Sequence, residues 1–457
     1  MTALSSSFRD PAGYIFTQNN VIYRKIKPTY FRQYNHLIES GLYRELTSEK
    51  LLIEHEEIEK NKNHITLRPY PLDFVSYPYE WSFPQWQQAA LLTLRIAELA
   101  HGYGMTLKDA SAFNIQFIGT RAIFIDTPSF DFYKKGDPWI AYGQFCRHFF
   151  NPLVLMAKVD VRLSALIMHY LDGIPTDLTA RLLPKVSRLI PAHFLHIHWH
   201  ARAQTHDSGK VNRRRQVRIS EAGYLGLLES LKTTVRKLKL KSMSKTSWSH
   251  YYEENVDHYS REDAQLKLSV IDAWLDDLRP LKTVLDLGAN TGRFSRLAAK
   301  KAGLVIASDG DHVAVGRGYQ ESVMDEVDNI YHLIIDISHP TPGLGWSNQE
   351  RQPFIKRAKV DLVLALALIH HIVIRAQIPI PWFCEYIASL APYCILEFPH
   401  RDDPQVQRLL SQQTQDFEDY HLETVVKCLE KHFEILGQTS LQHIPRSLFL
   451  LRVRSHG

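Results

Sequence analysis

The chain has little cysteine: four residues in 457, Cys146, Cys384, Cys394 and Cys428, none in C-x-x-C spacing. That excludes a disulfide scaffold and a cysteine-rich zinc site, and fits buried thiols of a reducing compartment. No run of about 18 apolar residues is present to span a bilayer. The start of the chain lacks a charged segment followed by an apolar one, so no signal peptide is expected. A soluble, cytoplasmic protein is the expectation. Charge of one sign is also missing, since a formal net charge of +5 is low for a dedicated nucleic-acid binder. Hydrophobic residues at 45% and charged residues at 23% argue against large-scale disorder. At 457 residues the chain should hold two or three domains.

The most informative segment runs Val284-Leu285-Asp286-Leu287-Gly288-Ala289-Asn290-Thr291-Gly292, followed at once by a helical pattern from Arg293. It reads as a buried parallel strand entering a turn of small residues at a helix N-terminus, the place where α/β sheets bind nucleotide cofactors. A dinucleotide fingerprint would carry three glycines as G-x-G-x-x-G. Here the third glycine is missing and the strand end carries Asp286. A carboxylate repels a pyrophosphate but can receive an ammonium group, directly or through water. Asn290 tolerates left-handed backbone angles better than most residues, so it can stand where a glycine would.

This segment resembles motif I of the class I S-adenosylmethionine-dependent methyltransferases, D-x-G-x-G-x-G, with Asn290 for the middle glycine. Later strand ends carry the resemblance further. Leu304 to Ser308 leads to Asp309 and Asp311, where the family places an acid on the ribose hydroxyls. Ile330 to Ile335 leads to Asp336, where it places a residue near the adenine amino group. Val360 to Leu366 leads to His370 and His371, and Tyr393 to Phe398 carries Glu397. Strand and helix patterns alternate, as in a parallel sheet with crossover helices. Phe433 to Leu441 and Ser447 to Val453 read as an antiparallel hairpin ending the sheet.

The resemblance covers about residues 248 to 457 and implies an α/β, Rossmann-like, seven-stranded sheet. S-adenosyl-L-methionine would then be held by Asp286, Gly288, Asn290, Gly292, Asp309, Asp336 and Leu366. His370 and His371 are candidate bases, with Glu397 orienting one of them or merely ending a strand. Asp336 could instead cap the loop that follows it. The family's N-P-P-Y signature is absent, which weakens a nucleic-acid base as acceptor. Trp248, Tyr251, Tyr252 and Tyr259 precede a helical stretch from Asp263 to Leu278. They could fold over the cofactor or simply dock the helix. Together with Leu396-Glu397-Phe398-Pro399 they resemble methyltransferases grouped with a rhizobial nodulation host-specificity protein.

The first half has its own signal. Asp109 and Asn114 stand in D-x-x-x-x-N spacing, and Asp126 ends the short strand Ala122 to Ile125. This region is similar to the aminoglycoside-phosphotransferase and choline-kinase-like group, which implies an α+β kinase-like domain over residues 1 to 205. Asp109 would then accept a hydroxyl proton, with Asn114 and Asp126 holding magnesium on ATP. The stretch Gln85 to His101 has helical spacing and fits the supporting helix. Toward the start, Gly13 to Lys25 reads as a hairpin turning at Asn19-Asn20. Lys25 or Lys27 is a candidate nucleotide lysine and Glu45, Glu54 or Glu57 its partner. The alternative is a degenerate lobe that binds substrate.

Residues 206 to 247 read as a basic linker. Lys210 to Lys245 holds eleven Lys or Arg against two acids, suiting either solvent or a phosphate-rich partner such as nucleic acid or an anionic membrane surface. His193, His196, His198, His200 and His206 alternate as a metal site could, or as one face of a strand or helix end would. The expected activity is methyl transfer to an O or N atom of a small or medium-sized acceptor, a small molecule or a glycan-like one. The competing readings are a phosphotransferase with an accessory methyltransferase domain, and a scaffold.

Overall fold

A computed structural model of the chain describes residues 2–3, 7, 10–202, 218–240 and 259–454. The chain divides into two compact units, Met1–Ser242 with Gly343–Gln352, and Met243–Pro342 with Pro353–Gly457.

In the first unit a five-stranded antiparallel sheet runs in the order Thr2–Ala3, Gly13–Gln18, Val21–Ile26, Ile65–Pro69, His55–Lys60. The hairpin turns at Asn19 and Asn20, both left-handed (φ 52° and 61°), the conformation that a two-residue turn between right-twisted strands requires. Helix Phe83–Gly102 starts in a capping box of Ser82 and Gln85 and buries Trp86, Leu94 and Ile96. A second helix, Glu221–Lys237, packs on it and falls inside the stretch read from sequence as a linker. Its Lys232 is buried and donates to Glu98 at 2.9 Å, so part of the basic run belongs to a packed helix. The segment Gly343–Gln352 also counts with this unit: Arg351 lies 4.4 Å from the Phe113 ring and Gln352 N donates to Tyr77 Oη.

The second unit is built on seven strands: β1 Leu281–Leu287, β2 Ala302–Asp309, β3 Ile330–Ile334, β4 Leu362–Ala365, β5 Tyr393–Pro399, β6 Phe433–Ser440 and β7 Arg446–Val453. Their spatial order is β3-β2-β1-β4-β5-β7-β6. The first five are parallel and β7 runs antiparallel to both neighbours. This is the seven-stranded sheet with a terminal hairpin expected from the sequence. Crossover helices cover the strands, so Val284, Val305, Leu364 and Ile395 are fully buried and the strands read as apolar runs without alternation. Helix Arg261–Asp277 adds Ile271 and Leu275 to this core.

Helix His312–Met324 follows β2 and presses its Gly318 against the β1 turn. A Cβ there would stand 2.7 Å from the Thr291 carbonyl oxygen, which is backbone and cannot swing away. Gly318→Ala should therefore cost roughly 1–3 kcal/mol in urea unfolding. Gly226→Ala, where an added Cβ meets nothing within 4 Å, should gain roughly 0.5–1 kcal/mol in the same measurement.

Candidate functional site

β1 leads into a turn in which Gly288, Asn290 and Gly292 all adopt left-handed backbone angles (φ 70°, 52° and 82°). Asn290 takes the conformation that a glycine would take there. The amides of Gly288 and Ala289 both donate to the Ser308 carbonyl (2.9 and 3.0 Å), and Ser308 Oγ donates to the Asp286 carbonyl at 3.1 Å. The turn is thus tied to the end of β2. Parallel pairing sets Asp286 opposite Ala307 and Leu287 opposite Ser308, which places Asp286 and Asp309 at neighbouring strand ends.

Asp309 takes one backbone amide on each oxygen, Asp311 N on Oδ1 and Asn290 N on Oδ2, both at 2.8 Å. Burial pushes its carboxyl up to about 6 against the pull of those amides. Asp286 is buried and accepts from Ser295 Oγ at 2.6 Å. Burial raises it to about 7, and the Asp309 charge adds to the rise against the Ser295 hydrogen bond. No cation is paired with either carboxylate among the described residues. Asp311 caps helix His312–Met324 through Val313 N and Ala314 N. Asp336 is exposed, and its Oδ1 accepts from Ser338 N at 2.9 Å, so the carboxylate closes the local turn. Burial acts against ionisation there, but the Ser338 hydrogen bonds outweigh it and hold the group below its usual range.

Beyond β4, Leu366 is buried in the sheet core and Ala367 is left-handed (φ 51°), a conformation unusual for a residue with a Cβ. His370 and His371 follow with ring centroids 4.1 Å apart. His370 is buried and its Nδ1 has no hydrogen-bond partner among the described residues. Burial holds it well below the ordinary imidazole range, helped by His371 and the Arg446 charge. His371 is half-buried and lowered to about 4 by burial and then by Arg375 and Arg446.

Glu397 is not arranged as the orienter of either imidazole. Its Oε1 accepts from Tyr259 Oη at 2.6 Å, its Oε2 accepts from Lys267 Nζ at 2.6 Å, and Arg446 approaches Oε1 at 3.4 Å. Arg446 also donates from Nε to Asp403 Oδ2 at 2.7 Å, and both side chains are fully buried. The Tyr259 ring lies beneath both cations, with Lys267 at 4.8 Å and Arg446 at 4.6 Å. Burial opposes the Glu397 charge, but Lys267 and Arg446 overcome it and hold the carboxyl below its usual range. Lys267, Asp403 and Arg446 were not singled out from the sequence. Arg446, at the head of a strand whose next residues run Ser447-Leu448-Phe449-Leu450-Leu451, was an available hint. Trp248, Tyr251 and Tyr252 lie outside the described residues, while Tyr259 is placed by this network.

In the first unit Asp109, Asn114 and Asp126 do converge. Asp109 is raised by burial and by the Asp126 charge, against hydrogen bonds from Gln144, Ser111 and Asn114. Its Oδ1 accepts from Gln144 Nε2 at 2.8 Å and Ser111 N at 3.0 Å. Asn114 Nδ2 donates to Ser129 Oγ at 3.3 Å. Asp126 is held by Ser129 Oγ on one oxygen and by Arg24 at 2.7 Å on the other. Arg24 therefore faces this carboxylate, and neither lysine proposed from the sequence does. Lys25 lies over the Phe16 ring and Lys27 is exposed. Strand alternation buries Arg24 and Ile26 together, and that pattern was available in the sequence. The three glutamates are engaged or exposed elsewhere: Glu45 accepts from Tyr103 Oη, Glu57 from Tyr34 Oη, and Glu54 faces solvent. Asp126 is thus paired with a guanidinium, whereas the Asp109 carboxylate meets only neutral hydrogen-bond donors among the described residues. Among the described residues no group of three or more His, Cys, Asp or Glu side chains is placed to hold a metal ion. In the histidine run, His196 bonds Tyr142 Oη and Ser230 Oγ, and His198 bonds Ser187 Oγ; His206 lies outside the described residues. No helix among the described residues is long and apolar enough to cross a membrane.

No family model matches the chain. The nodulation protein NoeA of Rhizobium meliloti (strain 1021) is 28% identical over 458 residues, covering 98% of this chain and 95% of that protein. A stretch of 93 residues, 20% of this chain and 21% of that protein, is 30% identical to the 23S rRNA (uracil(1939)-C(5))-methyltransferase RlmD of Alcanivorax borkumensis. Among solved structures, the N-methyltransferase NodS from Bradyrhizobium japonicum WM9 matches 43% of this chain and 99% of its own, at 12% identity and a TM-score of 0.33.

The raised carboxyl of Asp286 has a measurable consequence. Its folded-state value of about 7 exceeds the ordinary 3.8, so the folded protein holds a proton that the unfolded chain releases, and stability falls as pH rises between those values. Asp286→Asn removes that loss while keeping an acceptor for Ser295. Its Tm should exceed that of the parent at pH 8, and the difference should vanish near pH 4.

Proposed function

We propose that the second unit transfers a methyl group from S-adenosyl-L-methionine to an O or N atom of a small or medium-sized acceptor. The observation that carries this reading is the pair of carboxylates without a cation, Asp286 and Asp309, at adjacent strand ends beside a left-handed Gly-Asn-Gly turn. Each Asp309 oxygen spends one lone pair on a backbone amide and keeps others for two ribose hydroxyls. Asp286 is raised by burial, more than the Ser295 hydrogen bond and the Lys267 charge offset, and an ammonium group held directly or through water would favour its ionised form. A pyrophosphate at the same place would meet two negative charges. The match to a protein named as a methyltransferase over 93 residues points the same way.

S-adenosyl-L-methionine supplies a methyl group already activated on a sulfonium. What remains for the protein is alignment of the nucleophile and exclusion of water. Gly288, Asn290 and Gly292 shape the turn, and Leu366 and Ala367 end the strand beside it. His371 is neutral at physiological pH and can accept a hydrogen bond from a hydroxyl or amine. At about 4 it is a weak base, so orienting the acceptor is the larger part of its role. His370, more deeply buried, holds its neighbour in place. A hydroxyl or neutral amine, as on a glycan-like small molecule, suits this site better than a protonated amine. We assign the first unit an accessory role in holding substrate on a kinase-like lobe; the Arg24–Asp126 pair argues against ATP and magnesium there.

Calorimetry with S-adenosyl-L-methionine should show binding that Asp309→Ala weakens at least about tenfold, since one good charged hydrogen bond is worth roughly that much. Unchanged affinity would overturn the assignment. Affinity should also rise from pH 5.5 to pH 8, because both carboxyls lose their protons across that window and the ligand binds the ionised forms. For the acceptor side, a labelled-methyl assay of His371→Ala should show a raised KM for the acceptor with methyl-donor affinity intact. The same assay on His371→Gln should recover part of the loss.

A further inference from the structure

The helical run made of Pro191–His193 and Phe194–Trp199 in the first unit is inverted relative to an ordinary surface helix. Its inward side carries His193, His196 and His198, all buried, with His196 bonded to Tyr142 and Ser230 and His198 to Ser187. Its outward side carries Phe194 (42% exposed), Leu195 (43%) and Trp199 (57%). The preceding turn adds Val186 at 62% and Leu189 at 81%. A soluble helix hides its apolar face. Here His196 and His198 are hydrogen-bonded inside and five large apolar side chains face outward, a grouping that marks an interaction surface.

Beside these residues lies a cavity of about 530 Å³ lined by Arg181, Lys185, Arg188 and Arg202 against a single acid among its lining residues, Asp177. Asp177 already pairs with Arg181 at 2.5 Å. Apolar side chains next to a cluster of cations, an exposed tryptophan among them, match the chemistry of an anionic bilayer surface. Acyl chains take the apolar groups, the headgroup region takes the indole, and anionic headgroups take the cations. A second copy of the chain fits less well, because an isologous contact would bring one cationic cluster against another. We propose that this face of the first unit, from Arg181 to Arg202, docks the protein peripherally on anionic lipid, with Leu189 and Trp199 entering the interface. No membrane span is involved.

The test is flotation of the full chain with vesicles of phosphatidylcholine alone and with phosphatidylglycerol added, at low and high salt. The expected result is binding to the anionic vesicles that falls with salt. Leu189→Ser with Trp199→Ser, and separately Lys185→Glu with Arg188→Glu, should each weaken it at least about tenfold. All four side chains are exposed, so circular dichroism and Tm should match the parent and show that the variants fold. Equal binding to both vesicle types, binding untouched by either pair of substitutions, or no binding to either vesicle would overturn the proposal, and self-association measured in parallel would then identify a second copy as the occupant.

Discussion

The parallel pairing of β1 with β2 is the constraint on which the second unit depends. A shift of one residue would turn Asp286 to the other face of the sheet and separate it from Asp309. The Gly288 and Ala289 amides reinforce the register by taking the Ser308 carbonyl, and the Asn290 amide reaches across to Asp309. Three left-handed residues in five make this possible, since the chain must reverse within the reach of those bonds. Burial pushes both carboxyls above their ordinary range, and the Asp309 charge adds to the rise at Asp286.

A second buried cluster performs a different task. Lys267 on helix Arg261–Asp277, Glu397 on β5, Asp403 beyond it and Arg446 at the start of β7 form alternating ion pairs, with both cations over the Tyr259 ring. Two cations and two carboxylates leave the cluster neutral, which makes its burial tolerable. Its geometric effect is to fasten the residues just before the helix to the sheet, by hydrogen bonds with definite directions. The Arg446 charge also reaches the two histidines and helps keep them uncharged.

Much of this was readable where the information is local. Alternating strand and helix patterns gave the parallel sheet, the Asn19-Asn20 pair gave the hairpin, and the acids of the first two strand ends, Asp286 and Asp309, do lie at neighbouring strand ends. Reading failed where a residue's partner lies far along the chain. Glu397 looked like an orienter of histidine because the two occur at neighbouring strand ends, yet its partners Lys267 and Arg446 come from 130 residues before and 49 residues after it. Lys25 and Lys27 were both candidate cations of the first unit, but the strand's alternation turns Arg24 inward instead. The basic run was counted as linker because charge was summed along the sequence, whereas Lys232 is buried against Glu98.

The sequence by itself determined the type and order of the elements in the second half and the chemistry of its first turn. Hydrophobic period, small residues and the placement of acids at strand ends act within a few residues of chain. Only the tertiary structure decided which charges are paired and which stand alone. Pairing depends on distances between segments brought together by folding, and a carboxylate at 2.6 Å from an ammonium has a different chemistry from one that meets only backbone amides. By that distinction Glu397 is part of the framework, Asp126 is paired with Arg24, and Asp286 and Asp309 have no ion-pair partner among the described residues.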